Sequence, residues 1–311
     1  MDVLLSAALL IIGLVMLCLG GNWLVSGGIT IAKKFRISNL VIGMTIIAYG
    51  TSAPELAASI AAAGDHSAII LGNIIGSNIA NIGMVVGFAA ILTPLTIRKS
   101  ILRKEIPIML GVSALLILIS IDGEISQYDG ILLLIGLGVF GFYTFRNALK
   151  HRETAKDEIN SGKSNVYLKS AGLIGLGIVV LYVGSILTVD NAVVLASEFG
   201  LSEKIIGLTV IAIGTSLPEL ITSIIAIRKG HSDIGIGNII GSNIYNVLMI
   251  MGVGASLGGI LITADVYLDY AIMIIFGLSL LIGFKTQIIN RTMGIILTTG
   301  YVLYLVTTFF R

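Results

Sequence analysis

The stretch FRISNLVIGMTIIAYGTSAPEL, residues 35–56, recurs later in the chain as FGLSEKIIGLTVIAIGTSLPEL, residues 199–220. The two copies are separated by 164 residues in a chain of 311. A second pair, GNIIGSNIAN from Gly72 and GNIIGSNIYN from Gly237, follows at a separation of 165 residues. The sequence therefore contains an internal duplication, with one extra residue in the second copy.

Long apolar runs surround these motifs. Hydrophobic residues make up 56% of the chain and charged residues only 12%, which is far from the balance of soluble proteins. A helix needs about 20 mainly apolar residues to cross a bilayer. The runs predict ten transmembrane helices, near residues 3–32, 38–63, 68–93, 105–121, 130–145, 169–197, 203–227, 234–260, 266–284 and 292–310.

The basic residues predict how these helices are oriented. Of the 19 lysines and arginines, 17 fall in the loops that follow the odd-numbered predicted spans. Cytoplasmic loops carry the excess of lysine and arginine in membrane proteins. We therefore expect a multi-pass protein of the cell membrane with both termini extracellular.

Each copy of the repeat lies in a block of five predicted spans, so the second block enters the membrane with the opposite polarity. We expect an all-α polytopic protein with an N-terminal five-helix repeat (1–145), a cytoplasmic linker (146–168) and a C-terminal inverted repeat (169–311). Transporters with inverted repeats bind substrate near the midplane, where broken helices meet. Pro54 and Pro218 predict such breaks, because each removes a backbone donor from an apolar helix.

Glu55 and Glu219 are the acidic residues that we place well inside the apolar spans. Burial of an unpaired carboxylate in a membrane is expensive, so such residues usually have a function. Their equivalent positions in two inverted repeats predict that they converge. The structural alternative is a protonated, hydrogen-bonded pair that only packs helices together.

Oxygen-bearing side chains accompany both glutamates in the repeated motifs. They are Thr51, Ser52, Ser77, Asn78, Asn81, Thr215, Ser216, Ser242, Asn243 and Asn246. Calcium takes about six to eight hard oxygen ligands, whereas zinc and copper favour His and Cys, which the motifs lack. The set predicts a calcium site, although any one hydroxyl or amide could serve only to join helices.

The motifs GTSAPE and GTSLPE, each followed by GNIIGSN, resemble the two alpha repeats of the cation/calcium antiporter superfamily, specifically its prokaryotic sodium/calcium exchanger branch. The resemblance covers residues 30–93 and 194–257 directly. It implies the sodium/calcium exchanger fold and a secondary active antiporter that exchanges sodium for calcium by alternating access. It implies no enzyme activity, no resident cofactor and no obligatory protein partner; the partners are the two ions and the lipid bilayer.

The resemblance also implies roles for individual residues. Glu55 and Glu219 would coordinate calcium with the backbone carbonyls of Thr51 and Thr215. The neighbouring sodium sites would use Ala48, Thr51, Glu55 and Ser77 in one half and Ala212, Thr215, Glu219 and Ser242 in the other, with Asn81 and Asn246 lining the centre. Many sodium/calcium exchangers have Asp where this chain has Asn246, which leaves the sodium stoichiometry open and weakens any case for potassium co-transport.

Two other functions fit part of the pattern. A proton/calcium antiporter could use the same two carboxylates to exchange one divalent ion for two protons, although the usual signature of such exchangers differs from GTS-x-PE. A membrane-embedded enzyme could use the glutamates as acid and base. The chain has no HExxH motif, which argues against a zinc-dependent enzyme.

Overall fold

The computed structural model describes residues 3–62, 67–152, 165–200, 212–263, 266–284 and 286–310. Within these ranges the protein is almost entirely helical, as predicted. The α-helices are α1 (Val3–Phe35), α2 (Asn39–Ile42), α3 (Ala48–Thr51), α4 (Ala53–Ala62), α5 (Ser67–Ala80), α6 (Gly87–Leu92), α7 (Ile106–Ile119), α8 (Gln127–Arg152), α9 (Asn165–Glu198), α10 (Ala212–Thr215), α11 (Leu217–Arg228), α12 (Ser232–Tyr245), α13 (Gly252–Gly258), α14 (Val266–Ser279) and α15 (Arg291–Phe309).

Several of these helices are joined through short segments of wider or tighter winding. The π-helical segments are π1 (Gly43–Ile47), π2 (Asn81–Val86), π3 (Ile101–Glu105) and π4 (Asn246–Met251), and a 3₁₀ turn, Leu280–Phe284, extends α14. Segments π2 and π4 occupy equivalent positions in the two repeats. Single π turns inside α-helices are frequent at functional sites.

The helix lengths agree with a polytopic membrane protein. Six continuous helical segments of the described residues are long and apolar enough to cross a membrane, and three of them run through a π or 3₁₀ segment. The number is seven when the bent pair Asn39–Thr51 and Ala53–Ile60 counts as one span. The predicted count of ten stays a prediction. Helix α8 runs past residue 145 and α9 begins at Asn165, so both extend into the predicted linker; its residues 153–164 lie outside the described ranges.

The two longest helices, α1 and α9, pack side by side along a series of small residues. A Cβ atom added to Gly20 would lie 2.9 Å from the carbonyl oxygen of Gly177, and one added to Gly27 would lie 2.9 Å from that of Ser170. Gly13 and Gly184 meet in the same way further along. Small residues let membrane helices approach backbone to backbone, where dispersion contacts hold them together.

Two short antiparallel strand pairs join the repeats. Strand β1 (Leu95–Thr96) pairs with β4 (Ile288–Ile289), and β2 (Glu124–Ile125) pairs with β3 (Ile260–Leu261). In each pair one strand comes from the first repeat and one from the second. The equivalent helix pairs do the same, because Gly294 of α15 contacts Gly87 of α6 and Gly130 of α8 contacts Gly252 of α13. The pseudo-symmetry predicted from the duplication is therefore present in the packing.

Candidate cation-binding site

A helix break precedes each glutamate. Ser52 lies between α3 and α4 with φ −85° and ψ 7°, and the two helices are bent by 43°. Ser216 lies between α10 and α11 in nearly the same conformation, φ −88° and ψ 1°. Pro54 and Pro218 follow each break within the first turn of the next helix, where their missing N–H groups are tolerated. The breaks predicted from the two prolines are thus confirmed.

The two glutamates are buried at the start of these second helices. Glu55 is 2% exposed and Glu219 is 1% exposed. Oε1 of Glu219 accepts hydrogen bonds from the hydroxyls of Ser52 at 3.1 Å and Ser242 at 3.3 Å, so residues of both repeats meet at this carboxylate. Ser52 precedes Glu55 by three residues, so the break before one glutamate lies against the other glutamate. Their predicted convergence is therefore observed.

The amide residues Asn81 and Asn246 begin π2 and π4. Both are 1% exposed. Their side-chain nitrogens point across the pseudo-symmetry axis: Nδ2 of Asn81 donates to Oδ1 of Asn243 at 2.9 Å, and Nδ2 of Asn246 donates to Oδ1 of Asn78 at 3.0 Å. The two π segments thus place equivalent amides at the contact between the repeats.

A set of buried side-chain oxygens around these residues has no hydrogen-bond partner within the described chain. These atoms are Glu55 Oε2, Ser77 Oγ, Asn81 Oδ1, Ser216 Oγ, Glu219 Oε2 and Asn246 Oδ1. All six belong to residues predicted as ligands. A buried polar atom without a partner costs about 1–3 kcal/mol, so six of them in one region require an explanation. Oxygen atoms that accept no hydrogen bond are available to coordinate a cation.

Two residues that the sequence analysis did not select tie the broken helices to the opposite repeat. The hydroxyl of Thr51 donates to Oδ1 of Asn238 at 3.1 Å, and that of Thr215 donates to Oδ1 of Asn73 at 3.5 Å. Asn73 and Asn238 are the second residues of the two GNIIGSN motifs. Their repetition in both copies was the signal that could have identified them.

The other predicted residues occupy the same region. Ala48 is fully buried. Its carbonyl accepts hydrogen bonds from the hydroxyl of Thr51 at 3.2 Å and from the backbone N–H of Ser52 at 3.0 Å. The backbone of Ala212 begins α10. Ser77 precedes Asn78 on α5, and Ser216 follows Thr215 at the second break, so both flank residues that contact the opposite repeat.

The chemistry of the set is that of a hard-cation site. Two carboxylates supply the negative charge, and hydroxyl, amide and carbonyl oxygens supply neutral ligands. In the described residues, neither Glu55 nor Glu219 has a basic partner; the ion pair found there joins Arg98 and Asp233 at 2.6 Å, away from this region. The same residues contain no cluster of three His, Cys, Asp or Glu side chains, the arrangement typical of zinc sites.

Comparisons with known proteins agree with this chemistry. The chain matches the family described as sodium/calcium exchanger protein over residues 5–146 and 169–310. It is 32% identical to sodium/calcium exchanger MaX1 of Methanosarcina acetivorans, over 97% of this chain and 98% of that protein. It is 36% identical to the putative antiporter CaxA of Alkalimonas amylolytica, over 97% of this chain and 98% of that protein.

A solved structure shares the whole fold. The sodium-calcium exchanger NCX_Mj, soaked with sodium and without calcium, superimposes with a TM-score of 0.86 at 34% sequence identity. The alignment covers 98% of this chain and 99% of that one. The all-α polytopic exchanger fold expected from the repeats is therefore confirmed.

Proposed function

This chain belongs to the sodium/calcium exchanger family, and we propose that it exchanges sodium for calcium across the membrane through one central site. As a member of that family it is a multi-pass membrane transporter of cations and not an enzyme. The proposed exchange of sodium for calcium rests on the six buried oxygens around Glu55 and Glu219 that have no hydrogen-bond partner in the described chain.

The charge of the site supports a divalent cargo. Two carboxylates that are at most 2% exposed and lack a basic partner in the described residues hold up to two negative charges. Burial of an unpaired charge costs several kcal/mol even after relaxation. One calcium ion, or an equal charge of sodium ions, would neutralise the pair. Protonation would neutralise it too, but would leave the neutral oxygens without partners.

The neutral oxygens favour sodium over protons as the coupling ion. Protons bind to the two carboxylates directly, so in a proton/calcium antiporter the neutral oxygens would have ligands only in the calcium-bound state. Sodium, like calcium, is bound by several hard oxygens, and Ser77, Ser216, Asn81 and Asn246 provide such atoms. We therefore propose that sodium competes with calcium for Glu55 and Glu219, and that this competition couples the two fluxes.

Gradient energetics limit the stoichiometry. Export of calcium against a gradient of about 10⁴ and a potential of about 100 mV costs about 10 kcal/mol. Each sodium ion that enters down a tenfold gradient at this potential releases about 3.7 kcal/mol. Two ions would supply about 7.4 kcal/mol and three about 11.1 kcal/mol. Export under these conditions would therefore need three sodium ions per calcium, because two would not suffice.

The coupling ion is tested in proteoliposomes. Calcium-45 uptake is measured with an outward sodium gradient or an outward proton gradient, for wild type and for Glu55→Gln. We expect the sodium gradient to drive uptake by wild type and the substitution to abolish it. Uptake that responds to protons and is indifferent to sodium would replace this proposal with the proton/calcium antiporter.

A further inference from the structure

Four asparagines form a reciprocal hydrogen-bonded group between the repeats. Nδ2 of Asn78 donates to the backbone carbonyl of Asn243, and Nδ2 of Asn243 donates to the backbone carbonyl of Asn78, both at 3.3 Å. Each of these residues also accepts at Oδ1 from an amide across the axis, Asn78 from Asn246 and Asn243 from Asn81. All four side chains are 3% exposed or less.

The backbone carbonyls determine which way every amide points. A carbonyl oxygen can only accept a hydrogen bond, so the side-chain atom of Asn78 that faces it must be the NH₂ group. Oδ1 of Asn78 then faces Asn246 and can only accept, which turns the NH₂ group of Asn246 toward it. Oδ1 of Asn246 is consequently left without a donor in the described structure. The same sequence of constraints runs from Asn243 to Asn81.

The orientation matters for a cation site because the two ends of an amide have opposite polarity. The oxygen of Asn81 or Asn246 can coordinate a cation, whereas a flipped amide would present two N–H groups that repel it. Asn78 and Asn243 cannot serve as side-chain ligands themselves in this arrangement, since their oxygens already accept hydrogen bonds and their nitrogens face carbonyls. Their contribution is made through Asn246 and Asn81.

We propose that Asn78 and Asn243 are positioning residues that hold Asn246 and Asn81 with Oδ1 available as a neutral cation ligand. This inference rests on the proposed cation site. It assigns the two asparagines that precede Asn81 and Asn246 by three residues a role in affinity without contact to the ion. It also makes each repeat orient a ligand that belongs to the other repeat.

A double-mutant cycle tests the proposal, because an aspartate has two equivalent oxygens and needs no orientation. Calcium affinity is measured by isothermal titration calorimetry on purified, ion-free protein for wild type, Asn243→Leu, Asn81→Asp and the double variant. We expect Asn243→Leu to raise the Kd about tenfold in the wild-type background, the size of one lost charge-assisted contact. In the Asn81→Asp background we expect a change below about twofold.

Several outcomes separate positioning from a merely structural role. Equal loss of affinity in both backgrounds, or no loss in either, would overturn the proposal. Asn191→Leu is the matched control: this amide is 3% exposed, donates to the carbonyl of Leu187 within α9, and should leave the Kd unchanged when lost. If Asn243→Leu does not fold, Asn78→Leu with Asn246→Asp tests the same geometry from the other repeat.

A further variant tests the proposed cation site itself. Glu55→Gln is titrated in the same experiment. If Glu55→Gln binds calcium as wild type does, the proposed cation site is wrong, and the role of Asn78 and Asn243 falls with it. If Glu55→Gln loses binding while the cycle shows equal effects in both backgrounds, the site stands and only the positioning role is wrong.

Discussion

The two repeats bring equivalent residues to the centre but bond them differently. On one side, Ser52 of the first repeat donates to Glu219 and contacts Ser242 of the second at 3.1 Å. On the other side, the equivalent hydroxyls, those of Ser216 and Ser77, find no hydrogen-bond partner within the described residues. The same sequence motif therefore yields one carboxylate that accepts hydrogen bonds from two serine hydroxyls, whereas the equivalent serine hydroxyls of the other half are unpartnered in the described chain.

This difference shows what the duplication does and does not determine. It determines which residues face each other, because the amide contacts are symmetric to within a few tenths of an ångström across the axis. It does not determine which hydrogen bonds the serines and the carboxylate form in each half of the site. Oxygens that face each other without donors are stabilised by a cation, whereas a carboxylate bonded to serines is already partly satisfied.

Away from the site, the repeats should respond alike, and the contact between α1 and α9 tests this with the largest expected effect. Gly13 and Gly177 are equivalent residues, and a Cβ atom on either would lie 2.9 Å from a carbonyl oxygen of the opposite helix. We expect Gly13→Ala and Gly177→Ala each to destabilise the protein by about 3 kcal/mol, because backbone cannot move aside easily.

The measurement is thermal unfolding followed by size-exclusion chromatography. Gly175→Ala is the control on the same helix, since no atom of the described residues outside its own helix backbone lies within 4 Å of the added Cβ. A large effect at only one of the two contact glycines would break the symmetry that the packing shows.

The asparagines of the GNIIGSN motifs should respond unequally. Asn238 accepts from Thr51 and donates to the hydroxyl of Ser223 at 3.0 Å, whereas the hydroxyl of Ser59, the residue equivalent to Ser223, has no partner in the described part of the chain. We expect Asn238→Leu to cost about 2–3 kcal/mol of stability and Asn73→Leu about 1 kcal/mol. Equal losses in thermal unfolding would contradict the asymmetry.

The serines at the helix breaks should give effects of opposite sign. In calcium-free protein, Ser52→Ala removes a donor from Glu219 and should destabilise by about 1 kcal/mol. Ser216→Ala removes a buried hydroxyl without a partner among the described residues, and should stabilise the calcium-free protein by up to about 1 kcal/mol. Calcium should then stabilise Ser216→Ala less than it stabilises wild type, because a ligand is missing.

Thermal unfolding in chelator and in saturating calcium measures both the destabilisation by Ser52→Ala and the stabilisation by Ser216→Ala. We expect the stabilisation by calcium to fall in Ser216→Ala and to persist in Ser52→Ala. Destabilisation of the calcium-free protein by both substitutions to the same extent would mean that the two halves do not differ.

The smallest expected effect concerns His231, in the turn between α11 and α12. Burial and the nearby Lys33 and Lys229 lower the pKa of His231, while Asp233 opposes them. Its Nδ1 atom also contacts the amide of Asn39 at 3.1 Å. The imidazole therefore binds a proton more readily in the unfolded chain than in the folded one. As a result, the stability should fall as the pH drops through the ordinary histidine pKa of about 6.5.

The pH dependence of the melting temperature tests this effect. We expect His231→Gln to lose less stability than wild type between pH values of about 7.5 and 5.5, the range in which an ordinary histidine titrates. His66→Gln, the equivalent substitution in the first repeat, provides the comparison between the halves. Identical acid-induced losses in wild type and His231→Gln would show that this imidazole contributes nothing.

The duplication made much of this molecule predictable, and tertiary contacts made the rest unpredictable. Helix breaks at Ser52 and Ser216 followed from the prolines, and convergence of the glutamates followed from inverted repeats. The π segments at Asn81 and Asn246 did not, because an extra residue in a helical turn depends on the neighbours that accommodate it. Asn73 and Asn238 were missed for a related reason, since an amide in an apolar helix gives no sign of which hydroxyl it faces.

The two repeats are expected to share one cation, and calcium titration of purified, ion-free protein measures whether they do. Wild type, Glu55→Gln and Glu219→Gln are compared by isothermal titration calorimetry. We expect one calcium per chain in wild type and a loss of affinity of about 100-fold or more in each variant, because both carboxylates neutralise the same ion. Two calcium ions per chain, with each substitution removing one and leaving the other at full affinity, would show two separate sites instead of a shared one.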